Sequence, residues 1–315
     1  MCDLKEKKMT VTSSEASKKI TLNKKAKDNL FVLIMLFIPV VHFIIFWVIV
    51  NFNSILLSFQ KFDFKTGKHT LGFQNFKAVA EYYKSGIFKD ALKNTLLNSG
   101  FQIIFLLPWG FFLTYFLYKK IILKGVWRVC LFLPSILPAL FLTVAFSYAL
   151  NPIGPVGKVW EALFGKEIPA LLGEKKYAKW TVIAYFFLTN FGGQFILFTG
   201  AMSRIPDQIF EAAQIDGAGM GTEIFKIVFP LCWPTFSMLL ILNFSSVFIS
   251  VGPVFLLTGG GADTETIANW IFKEVNDGHS LYIPATLGLI CTVIIFPIIT
   301  IIRWASGKIY ADVEF

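Results

Sequence analysis

The chain is poor in the groups that do chemistry. Asp, Glu, Lys and Arg make up only 16% of its 315 residues, well under the roughly 25% of an ordinary soluble domain. Its three histidines, His42, His69 and His279, lie far apart, and its four cysteines, Cys2, Cys130, Cys232 and Cys291, stand singly. Isolated cysteines exclude a disulfide framework and a paired-cysteine metal site, and read as small hydrophobes. A membrane enzyme would cluster His, Asp or Glu at one depth, and no such cluster is expected here. No GxxxxGK[ST] stretch occurs in the sequence, so the chain has no P-loop of its own for a nucleotide.

Apolar surface is in excess. Hydrophobic residues are 55% of the chain, with 35 Phe, and the mean hydropathy is +0.64. Apolar runs continue over about 20 residues without the alternation of a barrel strand, which means helices. Six spans are expected, at about 30–50, 95–118, 128–150, 181–201, 227–257 and 281–302, each long enough at roughly 1.5 Å per residue for a ~30 Å core. The first is too long for a signal peptide's apolar region and reads as a retained helix. The fifth carries Pro230, Pro234 and Pro253, which predicts a kink or a part outside the core. The fold class is therefore an all-α membrane protein with six transmembrane helices.

Within the cores of these spans there is no Asp, Glu, Lys or Arg; Arg128 sits at a rim, and His42 is the one imidazole. Proton- and sodium-coupled transporters place ionisable groups near the midplane or carry an inverted repeat. Neither sign is present, and a lone His42 reads as a ring hydrogen-bonded to a neighbouring helix. Uphill movement of a solute would need energy from a partner.

Orientation follows from the lysines. Residues 1–29 hold eight lysines and four acids, and Lys119, Lys120, Lys124 and Arg128 follow the second span with no acid among them. The positive-inside rule then puts both termini, the 119–128 loop and the 203–226 loop in the cytoplasm. The basic surplus reads as topology and contact with anionic lipid in the bilayer, and no nucleic-acid partner is invoked.

Neutral polar residues do occur in the spans. Thr143 and Ser147 lie in the third, Asn190 and Gln194 in the fourth, and Asn243, Ser245, Ser246 and Ser250 in the fifth. Amides and hydroxyls beside aromatic rings suit an uncharged, polyhydroxylated solute. Asn190, Gln194, Asn243, Ser246 and Ser147 are the candidates for a solute path. The competing use of such residues is contact between helices.

Between the fourth and fifth spans lies FEAAQIDGAGM, Phe210 to Met220. From Ser203 to Lys226 the chain carries Asp207, Glu211, Asp216 and Glu223 against Arg204 and Lys226, an acidic island in a chain of net charge +9. Pro206 suits the first turn of a helix, Asp207 its positive end, and Gly217 the position after its C-terminus. A second helix is expected from near Thr222 into the fifth span. Ala212 and Ala213 leave room for another surface, or pack against the chain's own bundle. Asp216 stands at the unfavourable helix end, at about 0.3–1 kcal/mol if unpaired.

The stretch EAAQIDGAGMGTEIFKIVFPLCWP resembles the EAA motif of binding-protein-dependent ABC importer permeases, EAAxxDGAxxxxxFxxIxxPxxxP. Glu211, Ala212, Ala213, Asp216, Gly217, Ala218, Phe225, Ile227, Pro230 and Pro234 fill its positions. VGPVFLLTGGGADTETIANWIFKE, FQNF with ALKNTLLNS, and NPIGPVG are similar to segments of the maltose- and glycerol-3-phosphate-type sugar permeases. The resemblance covers nearly the whole chain after residue 30. It implies a type I importer permease with a cytoplasmic coupling helix. ATP and Mg would sit on partner ATPase subunits, and this chain would bind no cofactor and catalyse no reaction. The implied partners are a second permease, a different chain in most of this group, the ATPases, an extracellular solute-binding protein and a sugar. Glu211, Ala212, Ala213, Asp216 and Gly217 would form the ATPase-coupling element. Gly259, Gly260, Gly261 and a short helix starting near Thr264 are expected in an outer loop meeting the binding protein; the competing use of the glycines is plain turn chemistry. The resemblance does not extend to the maltose permease's large extracellular domain, since 59–93 is short, or to its extra leading helices, so that protein's substrate contacts do not carry over. A polyol phosphate is the alternative solute within the family, and it would call for a base in the path.

Overall fold

The structure, a computed structural model, describes residues 26–63, 68–119, 121–278 and 280–309. The tail up to residue 25, with Cys2, and also Lys120 and His279 lie outside the described residues. The chain divides into two compact units at Leu57/Ser58. The first is dominated by helix α1, Ala26–Phe59, whose turn at Ile44–Ile49 is widened to a π-helix. Within it the His42 ring rests on Phe46, with centroids 4.7 Å apart.

The second unit opens with a small antiparallel hairpin, β1 (Gln60–Asp63) and β2 (Lys68–Leu71), in which Gln60 pairs with Leu71. Among the described residues the remaining elements are helices: α2 (Gln74–Lys84), α3 (Ile87–Tyr118), α4 (Lys124–Ile136), α5 (Ala139–Ala149), α6 (Pro155–Phe164), α7 (Lys175–Thr189), α8 (Phe191–Met202), α9 (Asp207–Ile215), α10 (Met220–Ser245), α11 (Gly252–Thr258), α12 (Ile267–Asn276) and α13 (Tyr282–Ile309). Among the described residues five helical stretches, one of them α7 running into α8, are long and apolar enough to cross a membrane. There are six if α4 and α5 count as one bent span.

Three of the expected spans are interrupted, each for a local reason. The third bends by 107° between α4 and α5. Pro138 offers no N–H to a continuing helix and forces the residue before it out of the helical region; Leu137 is extended at ψ 142°. The fourth changes helix at Asn190, whose φ −92° and ψ 2° place it between α7 and α8. The fifth does not run from 227 to 257 as expected: α10 stops at Ser245, and Gly252 and Pro253 start the separate helix α11. Pro230 and Pro234 do not end it: Pro230 follows directly on a widened turn, Glu223–Val228, and the helix continues past both.

The largest core joins one end of the bundle. It contains Leu107, Phe111 and Tyr115 of α3, Phe198 and Met202 of α8, Phe210 of α9, and Ile224, Val228 and Cys232 of α10. A second core packs α2, the start of α3, α12 and α13 around Phe88, Ile267 and Leu287. A third, around Leu106, Val182, Phe186 and Val254, ties α3 to α7 and α11.

Candidate functional site

The helix interruptions converge on one cavity of about 510 Å³, bounded by α3, α4, α5, α7, α8, α10 and α11. Irregular backbone at membrane depth is tolerated where it lines such a space. Three of the expected path residues, Asn190, Gln194 and Asn243, line it together. The other two do not. Ser147 lies half-buried on α5, away from the lining, and Ser246 caps α10, donating its hydroxyl to the Asn243 carbonyl at 2.9 Å. Thr143 is buried with its hydroxyl 2.9 Å from that of Tyr185, a helix-to-helix contact.

Gln102, Ser135, Tyr185 and Thr189 complete the polar lining. Their signal in the sequence was weak, because a single hydroxyl or amide on a span looks the same whether it faces a neighbour or a space. No side chain in the lining is charged. The hydroxyls donate within their own helices, Ser135 to the Phe132 carbonyl at 2.7 Å and Thr189 to the Tyr185 carbonyl at 2.9 Å. Asn243 likewise donates through Nδ2 to the Leu239 carbonyl at 2.8 Å. With those protons committed, the oxygens keep acceptor capacity. Gln194 Oε1 is buried over Gly110 and has no partner. The wall therefore offers hydroxyl and amide acceptors together with the amide donors of Gln102, Asn190 and Gln194, without a formal charge, which suits a ligand rich in hydroxyls. Close helix approach shapes it: a side chain at Gly192 would overlap Ser135 of α4.

The second site is the loop that carries α9. Pro206 is the N-cap residue of that helix, just ahead of the first turn, and Asp207 is its first residue. At the other end Gly217 takes φ +72°, a conformation that costs other residues about 1–2 kcal/mol. It closes a full helix stop: Ala218 N donates to the Ala213 carbonyl at 2.9 Å and Gly217 N to that of Gln214 at 3.1 Å. Phe210 and Ala213 face the core, whereas Glu211, Ala212, Asp216 and Asp207 are exposed. The two alanines thus divide, Ala212 outward and Ala213 into the chain's own bundle. Ile215 is 87% exposed, an apolar surface group between the outward carboxylates that the motif does not single out.

Glu223 departs from its expected place among the outward acids. Only 6% of it is exposed. It forms an ion pair with Lys119 at the end of α3 and accepts the Tyr115 hydroxyl at 3.0 Å. Among the described residues no base pairs with Asp216.

At the far end of α3, Asn94 Nδ2 donates to the carbonyls of Asp263 and Glu265, at 2.9 and 2.8 Å. Lys179 pairs with Asp263 at 2.7 Å and Lys273 with Glu265 at 2.9 Å. The glycine turn is thus bolted to the bundle. The short helix after it starts at Ile267, with Thr266 as its N-cap, rather than near Thr264.

The family described as the binding-protein-dependent transport system inner membrane component matches residues 106–313. The chain belongs to that family. As a family member it is a multi-pass membrane subunit of a transport system. It is 25% identical over 254 residues to the probable ABC transporter permease YurN of Bacillus subtilis (strain 168), covering 78% of this chain and 86% of that one. It is 30% identical over 166 residues to the maltose/maltodextrin permease MalF of Escherichia coli (strain K12), a match that spans 49% of this chain and 32% of that longer protein. The fold superimposes, at a TM-score of 0.80 and 21% identity, on a chain of a bacterial ABC transporter involved in the import of the acidic polysaccharide alginate, covering 91% of this chain and 99% of that one. A second structure, of the alginate transporter in complex with its alginate pentasaccharide-bound periplasmic protein, matches equally well at 0.80 and 22% identity.

Proposed function

We propose that this family member is the permease subunit of an ATP-driven importer for a neutral sugar or oligosaccharide, which an extracellular solute-binding protein delivers. The observation that carries the solute class is the uncharged wall of amides and hydroxyls around the cavity between the helix breaks. Sugar hydroxyls would donate to the Asn190 and Asn243 amide oxygens and the hydroxyl oxygens, and accept from the amide nitrogens of Gln102, Asn190 and Gln194. A phosphate or uronate adds a negative charge, which would meet no base there. Likeness to a maltose/maltodextrin permease supports a carbohydrate. The alginate likeness is one of fold.

In this reading α9 is the coupling helix and faces the cytoplasm. Glu211, Ala212, Ile215 and Asp216 present two carboxylates and a close-approach surface to an ATPase subunit, and Gly217 turns the chain back into α10. ATP and Mg belong to that partner. A second permease completes the path, and closure of the ATPases shifts the pair between inward- and outward-open states by favouring one of them. The loop 259–266 lies on the outer side, where the binding protein docks.

An uptake panel in proteoliposomes of the assembled transporter tests the solute class. Maltotriose and other neutral oligosaccharides are expected to enter with ATP, while a sugar phosphate and an oligo-uronate are excluded. Uptake of the charged sugars alone would overturn the reading. Copurification tests the coupling role: Glu211→Lys is expected to strip the ATPase from the tagged permease, and an unchanged yield of ATPase would count against it.

A further inference from the structure

We propose that Lys119 is a positioning residue for coupling: it locks α9, the end of α3 and the start of α10 into one body, so that a push on α9 reaches the cavity. The inference rests on the coupling role given to α9 above.

Four groups meet at this lysine. Its ammonium pairs with the buried carboxylate of Glu223, on the first turns of α10. The same carboxylate oxygen accepts the Tyr115 hydroxyl of α3 at 3.0 Å. The ammonium also lies 5.7 Å from the Tyr115 ring centroid and 5.1 Å from that of Phe210, within cation–π range. Phe210 belongs to α9 and immediately precedes the outward Glu211. Rings extend the joint on both sides, Tyr118 against Phe210 at 5.9 Å and Phe112 against Phe225 at 5.9 Å.

The geometry has a direction. The two long helices leaving this joint both reach the cavity, α3 through Gln102 and α10 through Leu239 and Asn243. Lys119 has left the helix, at ψ 151°, so its side chain spans the gap from outside α3. A carboxylate buried next to one base and one phenol is uncompensated if the base is removed. The joint would then loosen while the outward face of α9 stays intact. Coupling passes through elements with discrete arrangements, and a residue remote from either ligand can shift it.

The experiment uses the assembled transporter, purified through a tag on this chain, with its four native cysteines replaced and Asn243→Cys as a reporter. The probe is a membrane-impermeant maleimide, and the readout is its labelling rate with and without vanadate-trapped ATP, beside ATP hydrolysis. In the unaltered background, nucleotide is expected to change the labelling rate; no change there defeats the coupling reading itself. Lys119→Met and Glu223→Gln are expected to reduce that nucleotide effect by at least about fivefold while hydrolysis stays within about twofold. A purely structural pair would lower both in proportion to the amount of folded complex, and that result overturns the proposal. Lys119→Arg, which keeps a cation for Glu223 and for the Tyr115 and Phe210 rings, is expected to keep the response. If Lys119→Met and Glu223→Gln do not assemble, Phe210→Leu, which removes the ring beneath the ammonium, decides, and an assembled Phe210→Leu transporter with an unchanged response is a negative result. Bridging Tyr118→Cys to Phe210→Cys with a short thiol reagent is expected to leave the response intact. Arrest by that bridge would show that α9 slides on α3, contrary to a single body.

Discussion

The hydroxyl of Thr143 on α5 lies 2.9 Å from the hydroxyl of Tyr185 on α7. Thr143 itself donates to the Ala139 carbonyl at 2.7 Å, so the Tyr185 hydrogen is the one shared between the helices. This bond ties the short helix after the Pro138 bend to a continuous one, beside the cavity. Tyr185→Phe is expected to cost about 1 kcal/mol, read as a fall of about 2 °C in the thermal midpoint of the detergent-solubilised protein. No fall would mean that ring packing against Phe146 alone carries the contact.

Gln194 sets stability against function. Its Oε1 is buried and unsatisfied, which costs about 1–3 kcal/mol. Gln194→Leu is therefore expected to keep or raise the thermal midpoint while cutting neutral-sugar uptake by about tenfold or more. A clear drop in the midpoint would show that the amide is bonded in the solute-free protein.

At Gly217, alanine is expected to cost about 1–2 kcal/mol through the left-handed backbone, and asparagine less. Since the cost falls on the turn after α9 and not on the core, Gly217→Ala is expected to remain in the membrane at near-normal amount with reduced ATP-driven uptake. Immunodetection in membranes, paired with uptake, checks this. Loss of the protein from the membrane would assign the glycine to folding.

Asn94 holds two carbonyls of the 259–266 turn. Asn94→Ala removes both donors and strands those acceptors, so the turn is expected to become the first site of limited proteolysis. The cavity end of α3 should be untouched. Unchanged cleavage kinetics would mean that the Lys179–Asp263 and Lys273–Glu265 pairs suffice. Adding about 0.5 M salt is expected to increase cleavage further in the variant, because these half-buried pairs still reach solvent and are partly screened.

The spans and the acidic loop were legible in the sequence because each has a strong one-dimensional sign: an unbroken apolar run, or a fixed spacing of Glu211, Asp216, Gly217 and the later prolines. Gly217 in particular could be placed after the helix from its position alone, since few residues tolerate that backbone. What escaped depends on which way a side chain turns. Glu223 belongs to the island by spacing, yet its partner Lys119 lies 104 residues earlier, and nothing local marks the pair. Ser147 and Ser246 carry the same hydroxyl as Ser135, and only the packing decides which of them reaches the cavity. The stop of α10 at Ser245 was hidden for a related reason. Residues 246–257 are as apolar as the helix before them, so hydropathy counts them as span while the backbone has already turned.

The bend before Pro138 has a consequence for how such a permease changes its diet. Where α4 gives way to α5, and again where α10 gives way to α11, helix-end amide and carbonyl groups belong to the main chain and stay whatever side chains are present. Part of the polarity around the cavity is thus built into the trace of the polypeptide. On the proposed solute path, replacing Asn190 or Asn243 would alter which hydroxyl is favoured without making the space greasy. A lineage could therefore drift between related solutes by single substitutions, keeping a wettable passage at every step.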